Sequence, residues 1–588
     1  LLPTTADGPP IRYAGLPAPL SAARMAAAVP DFLRPRRASN VWAISGANTE
    51  SGKPILANDP HLGLTAPGIW YLARIEAPGL SVTGATLPGM PFHLMGHNGT
   101  IAWGLTTTYG DLADLFVERL TEGDADSYET PDGPKAFTVR EELIRVRFGR
   151  DERLRVRETR HGPVISDVFD SAAARAGAGH VVALAAVALL PGDRTVNAIF
   201  RLQTAQSKSA FLRALEDFHS PQQNVIYADT EGHIGLVAPA RVPIRGARRG
   251  LVPSDGAAGD ADWTGFVPFE GLPQEFDPAG GVVLNANNSI VGPDYPYFIS
   301  AQWEPSYRAR RIAELLIGGG QTSETSAAMQ ADSVSVMARD LVPVMAAALR
   351  DGERVSPRLA AATRRLEIWD FRMERTAPEP LIFAAWLRAL VKRLVADDLD
   401  GSFESYWDLH PRTVTLILSE RQEWCDDITT AEAESCSEQT QAALADALAE
   451  LSDDFGANFT RWRWGEAHEV RFLHPLWSFV PGLGQALGLV ARSDGGPFTL
   501  MRGGIRFGSG SRPFANNHGA GYRAVYDLSN LDNSLYAMAP GQSGNPFSRL
   551  FAAQVEGWLE GETFRIPSRR EDVITDALGV VRLVPGEE

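Results

Sequence analysis

Mixed α and β layers are the fold class this sequence predicts, on three observations. The first third of the 588 residues carries short apolar runs broken by turn residues. From about Ser323 to Leu451, apolar residues recur at three- and four-residue intervals, the helical spacing. The last third returns to strand-like runs and glycine-rich loops. Strands, then helices, then strands is the order that layered sheets and helices produce. With 44% hydrophobic residues, a chain of this length can bury a sizeable core.

The elements follow in chain order. Residues 1–38 are rich in Pro, Ala and Arg; Ser21–Val29 reads as a short helix that Pro30 and Pro35 punctuate, in what is otherwise a tail or linker. The chain begins with Leu1 and shows no basic-then-apolar leader, so an upstream segment is expected. Val41–Ser45 and Ile55–Ala57, separated by the turn residues Gly46–Lys53, predict a hairpin. Further strands are expected at Ser81–Gly84, Phe116–Glu118, Leu143–Phe148 and Val164–Ile165, and Asn224–Ala238 reads as two strands joined by a Thr-Glu-Gly turn. In the helical region, Leu341, Met345, Ala348 and Leu349 share one face, and Leu359, Ala362 and Leu366 share another. Pro343 suits the first turn of a helix beginning near Asp340. The region reads as an inserted helical block over about 320–455. Gly503–Gly510 and Gly519–Tyr526 mark the closing loops and strands.

Composition excludes some functions. The formal charge is −17 and no dense Lys/Arg block is present, which argues against nucleic acid and anionic surfaces. The longest apolar candidate, Val181–Leu190, falls short of the roughly 18 residues of a membrane span. Cys425 and Cys436 stand eleven apart in a polar, acidic loop. They can close a local disulfide, which would place the protein in an oxidising compartment; two free thiols are the alternative. HEVRFLH at His468–His474 spaces its histidines six apart, unlike a zinc-protease helix, and GQSG at Gly541 lacks the spacing of a nucleophile elbow.

The segment SNVWAISGANTESGKPILANDPHLGL, Ser39–Leu64, places a serine at the opening of a strand directly after the Pro/Arg-rich linker. Alone, Ser39 is no more than a polar residue at a strand start. The segment resembles the first residues of the catalytic β chain of penicillin acylase-type hydrolases. So do PGMPFHLMGHNGTIAWGLTTTYGDLADLFVERL at Pro88–Leu120, NVIYADTEGHIG, LNANNSIVGPDYP and GYRAVYDLSNLDNSLYAMAPGQSGNPFS at Gly521–Ser548. These blocks keep the family's order from Ser39 to near the C-terminus, about nine-tenths of the chain.

The resemblance implies an α+β fold, the four-layer αββα sandwich of N-terminal-nucleophile hydrolases. Residues 1–38 would be the end of an α chain and spacer, and 39–588 the catalytic β chain carrying the helical block. It also implies self-cleavage between Ala38 and Ser39, where Ala38 stands in place of the family's frequent Gly. Ser39 then becomes the nucleophile, and its new α-amino group the base. A serine hydroxyl needs such a base, and an α-amine with a pKa near 7.7–8 supplies one at working pH. His61 matches a position where homoserine lactone and cephalosporin acylases, unlike penicillin G acylases, carry an active-site histidine, as base or orienter. The backbone N–H of Thr107 and the side-chain amide of Asn287 match the oxyanion donors, with Asn288 the alternative one residue on. Arg308 matches an arginine close to the active site, with a structural salt bridge as the other reading.

Asp111 and Asp114 match two carboxylates that hold a structural calcium ion in penicillin G acylases. The family's further aspartate has no counterpart in Tyr295–Ser300. No cofactor is expected to take part in the chemistry. Leu62, Met95 and Tyr109 are expected to line an apolar acyl pocket, unless they are ordinary core. The resemblance implies a small-molecule amide substrate, an α-chain partner from the same precursor, and a periplasmic or secreted location. His61 tilts the substrate towards N-acyl homoserine lactones or other long-chain acyl amides. β-Lactam side-chain removal is the sibling reading, and a non-catalytic binding protein on the same fold the remote one. A metal-dependent amidase lacks a convincing ligand cluster.

Overall fold

Alternation along the first strand sets the layers. The structure is a computed structural model that describes residues 38–584 apart from 247–248, 353–354, 400–402, 405–406, 408–409, 478–479, 481, 506, 509 and 576. The expected helix at Ser21–Val29 and the tail before Ala38 lie outside the described residues. Strand β1 (Ala38–Ile44) pairs antiparallel with β2 (Ile55–Gly63), with Ala38 opposite His61 and Ser39 opposite Pro60. Val41 and Ala43 point one way, into an apolar cluster with Leu56, Ala102, Ile226 and Tyr526. Trp42 and Ile44 point the other way, against Ala309, Ile312 and Met329. Such two-sided burial requires cover on both faces.

Two sheets and two helical layers supply it. The first sheet runs β11-β1-β2-β12-β13; the second runs β10-β9-β8-β6-β5-β4-β3. In chain order these strands are β3 (Tyr71–Ala77), β4 (Leu80–Thr86), β5 (Met95–His97), β6 (Ile101–Thr107), β8 (Gln223–Asp229), β9 (Ile234–Val237), β10 (Gln274–Phe276), β11 (Val282–Asn285), β12 (Tyr522–Asp527) and β13 (Leu535–Met538). Strand β7 (Ala113–Thr121) leads a separate sheet. Helices α1 (Thr195–Leu202) and α2 (Lys208–Leu215) cover the outer face of the second sheet, where Leu202 and Phe211 meet Trp103 and Tyr227. Helices α3 (Tyr307–Leu315) and α4 (Ser323–Gln330) cover the outer face of the first. The expected αββα sandwich is the observed architecture. Asn58 ties the two sheets together, its amide donating to the Asn40 and Leu105 carbonyls and accepting from the Leu105 N–H. Gly104 permits this approach, since a Cβ there would stand 2.9 Å from the Asn58 side chain.

The helical block has its own core. Helices α5 (Val336–Arg350), α6 (Pro357–Glu367), α7 (Glu379–Leu399), α8 (Pro411–Glu420) and α9 (Cys436–Phe455) share a cluster that includes Leu341, Leu366, Trp386, Val414 and Leu444. Its helices therefore start at Val336, not near 320, because α4 packs on the first sheet instead. Helix α5 begins four residues before Asp340: the Ser335 hydroxyl accepts from the Ala338 N–H, and Val336 and Met337 extend the buried face. Pro343 thus sits inside the helix, on its exposed side, where water can solvate the carbonyl that loses its partner. Cys425 and Cys436 form the disulfide. Both are buried against this block rather than displayed on a loop.

Two expected strands shift. The ladder containing Leu143 ends at Ile144, and the chain turns away, with Phe148 at φ 67. Around Val164 the strand is Gly162–Pro163, and a 3-10 turn starts at Ile165.

Candidate active site

Ser39 lies at the start of a central strand, buried, with its side chain on the Val41 face between the sheets. Its Oγ donates to the Ala38 carbonyl at 2.5 Å across the peptide bond that joins them. Its N–H donates to Asn287 Oδ1 at 2.7 Å. Asn287 follows β11 and is held with φ 67, a conformation disfavoured for residues other than Gly. A polar knot enforces it. Asn285 Oδ1 accepts from the Asn287 N–H at 2.8 Å, the Thr106 hydroxyl at 2.7 Å and the Asn224 amide at 2.9 Å. Asn288 turns elsewhere: its Oδ1 accepts from the Ala286 N–H, and its amide donates to the Ser289 carbonyl. Asn287 is therefore the residue of the pair that touches Ser39.

Arg308, on α3 and fully buried, joins these parts. Nη1 donates to the Ser39 carbonyl and to Asn40 Oδ1, each at 2.7 Å. Nη2 donates to the Ala286 carbonyl at 2.7 Å and to Asn287 Oδ1 at 3.0 Å. These contacts orient the Asn287 amide, because its oxygen must face the guanidinium. Its Nδ2 then donates to the Thr107 carbonyl at 2.8 Å, and its second N–H remains available. Burial first, and Arg502 second, lower the Arg308 pKa to about 10, leaving it charged at neutral pH. Thr107 ends β6 beside this amide.

His61 faces away from the Ser39 hydroxyl. By the β1–β2 register it shares its face with Asn40 and Asp59, towards α3 and α4, the face opposite the Ser39 hydroxyl. Its Nε2 lies 2.7 Å from Asp59 Oδ2 and 3.4 Å from the Asn40 amide, and it makes no hydrogen bond to Ser39. Burial pulls the imidazole well below its usual pKa, and Arg308, Arg502, His518 and Arg523 push the same way. Burial pushes the Asp59 carboxyl up, against Arg523, Asn40, Arg308 and Gln330. The short Nε2–Asp59 contact holds the ring, and Nδ1 is buried without a hydrogen-bond partner. His61 and Asp59 thus brace Asn40, the residue after Ser39, through the Asn40–Asp59 bond of 2.9 Å.

Leu62 and Met95 are placed apart from Tyr109 in the packing of the core. Leu62 and Met95 belong to the cluster between the sheets. Tyr109, at φ 54, lines a separate cavity of about 330 Å³ at the junction with the helical block. That cavity also holds Glu304 and Arg502, which sequence reasoning missed.

Asp111 and Asp114 face a guanidinium. Arg245 Nε donates to Asp114 Oδ2 at 2.8 Å, and Nη2 donates to Asp111 Oδ1 at 3.1 Å and to the Asp111 carbonyl at 2.9 Å. Trp263 Nε1 also donates to Asp114 Oδ2. Calcium takes six to eight oxygen ligands. Here one guanidinium already occupies the space between the two carboxylates, and among the described residues no three His, Cys, Asp or Glu side chains are grouped to hold a metal. The residues present do not fit the expected ion; the two carboxylates hold Arg245 instead.

Four layers with a serine opening a central strand define the N-terminal-nucleophile hydrolase fold. The chain belongs to the penicillin amidase family, whose profile matches residues 10–575. It is 30% identical over 553 residues to penicillin acylase 2 proenzyme of Pseudomonas sp. (strain SE83), covering 93% of this chain and 69% of that protein. It is 29% identical over 558 residues to the acyl-homoserine lactone acylase QuiP of Pseudomonas fluorescens (strain Pf0-1), covering 91% of this chain and 66% of that one. The chain thus spans about two thirds of the length of these relatives. The thermostable penicillin G acylase from Alcaligenes faecalis shares the fold, with a TM-score of 0.73 at 22% identity, over 93% of this chain and all of that one. Among the described residues no helix is long and apolar enough to cross a membrane.

Proposed function

We propose that the protein is a self-cleaving amide hydrolase with Ser39 as its nucleophile. The observation that carries this is the Ser39 Oγ hydrogen-bonded to the Ala38 carbonyl while Asn287 Oδ1 holds the Ser39 N–H. In the cleavage, Oγ bonds to the Ala38 carbonyl carbon, the C–N bond breaks, and the hydroxyl proton passes to the Ser39 nitrogen. Water then hydrolyses the ester, leaving an Ala38 carboxylate and a free Ser39 amine. With substrate, that amine takes the hydroxyl proton as Oγ attacks the acyl carbon, and passes it to the departing amine. The free N–H of Asn287 Nδ2 and the Thr107 N–H serve the oxyanion. Water releases the acyl group in a second, similar step. His61 acts through Asn40 as a positioning residue.

The substrate is an N-acyl homoserine lactone or another long-chain acyl amide, in keeping with the name of the QuiP relatives. The name of the Pseudomonas penicillin acylase favours a second reading, removal of β-lactam side chains. The partner is an α chain from the same precursor. The Cys425–Cys436 disulfide supports a periplasmic or secreted location.

The test is to incubate the protein, and its Ser39→Ala variant, with short and long N-acyl homoserine lactones, penicillin G and a glutaryl cephalosporin nucleus. Mass spectrometry follows both the products and the chain. The wild type is expected to be cut before Ser39 and to release a fatty acid; the variant is expected to do neither. Equal turnover by the variant removes Ser39 from the mechanism.

A further inference from the structure

We infer that the cavity at the junction of sandwich and helical block receives the amine half of the substrate, and that Arg502 recognises an oxygen acceptor on it. This rests on the amide-hydrolase reading above. The cavity adjoins the site through two short links. Tyr109 lies two residues beyond Thr107, and the Glu304 N–H donates to the Asn287 carbonyl at 3.0 Å. A group leaving an acyl carbon held between Thr107 and Asn287 therefore has this space beside it.

The chemistry of the walls selects the occupant. Phe498, Ile505, Phe507 and Met337 supply apolar surface. Set among them is an ion pair, Arg502 Nη1 to Glu304 Oε2 at 3.4 Å, with the two side chains 13% and 17% exposed. Arg502 lies 5.9 Å from the Phe498 ring centre, and its Nε–H is buried without a hydrogen-bond partner. Burial pushes the Glu304 carboxyl up, but the charges of Arg502 and Arg308 and the hydrogen bonds from Arg502 and Tyr109 outweigh it and hold the group below its usual pKa. An alkyl chain laid against this pair would strip water from it and return nothing. A compact amine with a ring carbonyl or a carboxylate gives the guanidinium an acceptor, and Tyr109 and Phe498 flank its ring.

The test compares octanoyl amides of homoserine lactone, of homoserine and of butylamine, which differ only in the amine half, together with the corresponding butanoyl series. For Arg502→Met, the kcat/KM ratio of either acceptor-bearing amide to the butylamide is expected to fall by about ten- to a hundredfold, the weight of a hydrogen bond to a charged group. Arg502→Lys is expected to restore part of that ratio. An unchanged ratio overturns the inference. So does a loss that follows acyl length instead, since the cavity would then hold the acyl chain. If the wild type turns over none of these amides, the amide-hydrolase reading fails separately. Calorimetric titration of Ser39→Ala with homoserine lactone and with butylamine then reads the cavity alone. Binding of the lactone that Arg502→Met weakens supports the inference, and no preference between the two amines overturns it.

Discussion

Asn287 is held at both ends of one side chain. Its oxygen is fixed by Arg308 and the Ser39 N–H, so its nitrogen is directed towards Thr107, where the oxyanion would form. Asn287→Ala is expected to lower kcat by about 10²–10³, the cost of one lost oxyanion donor, with a smaller effect on KM. Steady-state kinetics on protein cleaved before Ser39 checks this, and a rise in KM with kcat unchanged would assign Asn287 to ground-state binding. The sequence led to Ser39 and Asn287 through long ordered blocks, but it could not say where His61 points. That depends on register: one residue of slip between β1 and β2 would move His61 to the Ser39 face. The signal for the missed group was present, because Asn40, Asp59 and His61 are polar residues sharing one face of two otherwise apolar strands. Glu304 and Arg502 meet across nearly two hundred residues, and no local pattern announces such a pair.

At the scale of elements, the long apolar blocks were legible and the boundaries were not. The β1–β2 hairpin and the β8–β9 pair stand where alternation put them. Helices α1 and α2 were missed inside a region read as strands, being only eight residues each and buried on one side by the second sheet. The four-residue strand Glu469–Phe472 is entered from Trp464–Ala467 through His468, which stacks on Trp464 with ring centres 4.3 Å apart. His468 is fully buried; its Nδ1–H donates to the Phe514 carbonyl at 2.7 Å, and burial lowers its pKa from 6.5 to about 4. Between those values the unfolded chain binds the proton and the folded one does not. The stability tied to a neutral His468 is thus complete above pH 6.5 and lost as pH falls towards 4, by about 3 kcal/mol in all. Wild type is expected to lose that much more than His468→Gln between pH 7.5 and 4, in denaturant melts at each pH. Parallel losses would show that His468 titrates alike folded and unfolded.

The whole molecule joins two cores, one in the sandwich and one in the helical block. The sandwich buries its sheets against each other and against α1–α4, whereas α5–α9 pack around Trp386, Leu390 and Leu444. The order of strand-rich and helix-rich regions revealed this division, but not that α4 belongs to the sandwich, since a helix's apolar stripe does not name its partner. Elements with separate cores can open as separate cooperative units. The disulfide tests whether they do, because both of its cysteines lie in the helical core. Closing a loop over a sequence separation of 11 is worth about 2–3 kcal/mol through the unfolded chain. The double variant Cys425→Ser, Cys436→Ser is expected to lower the melting temperature of one calorimetric transition by about 5–15 °C, for a unit the size of the helical block. A second transition, that of the sandwich carrying Ser39, is expected to stay in place. If a single transition is seen and moves as a whole, the cavity at the junction couples the two cores. Occupation of that cavity by the amine half would then stabilise the entire molecule, helical block included.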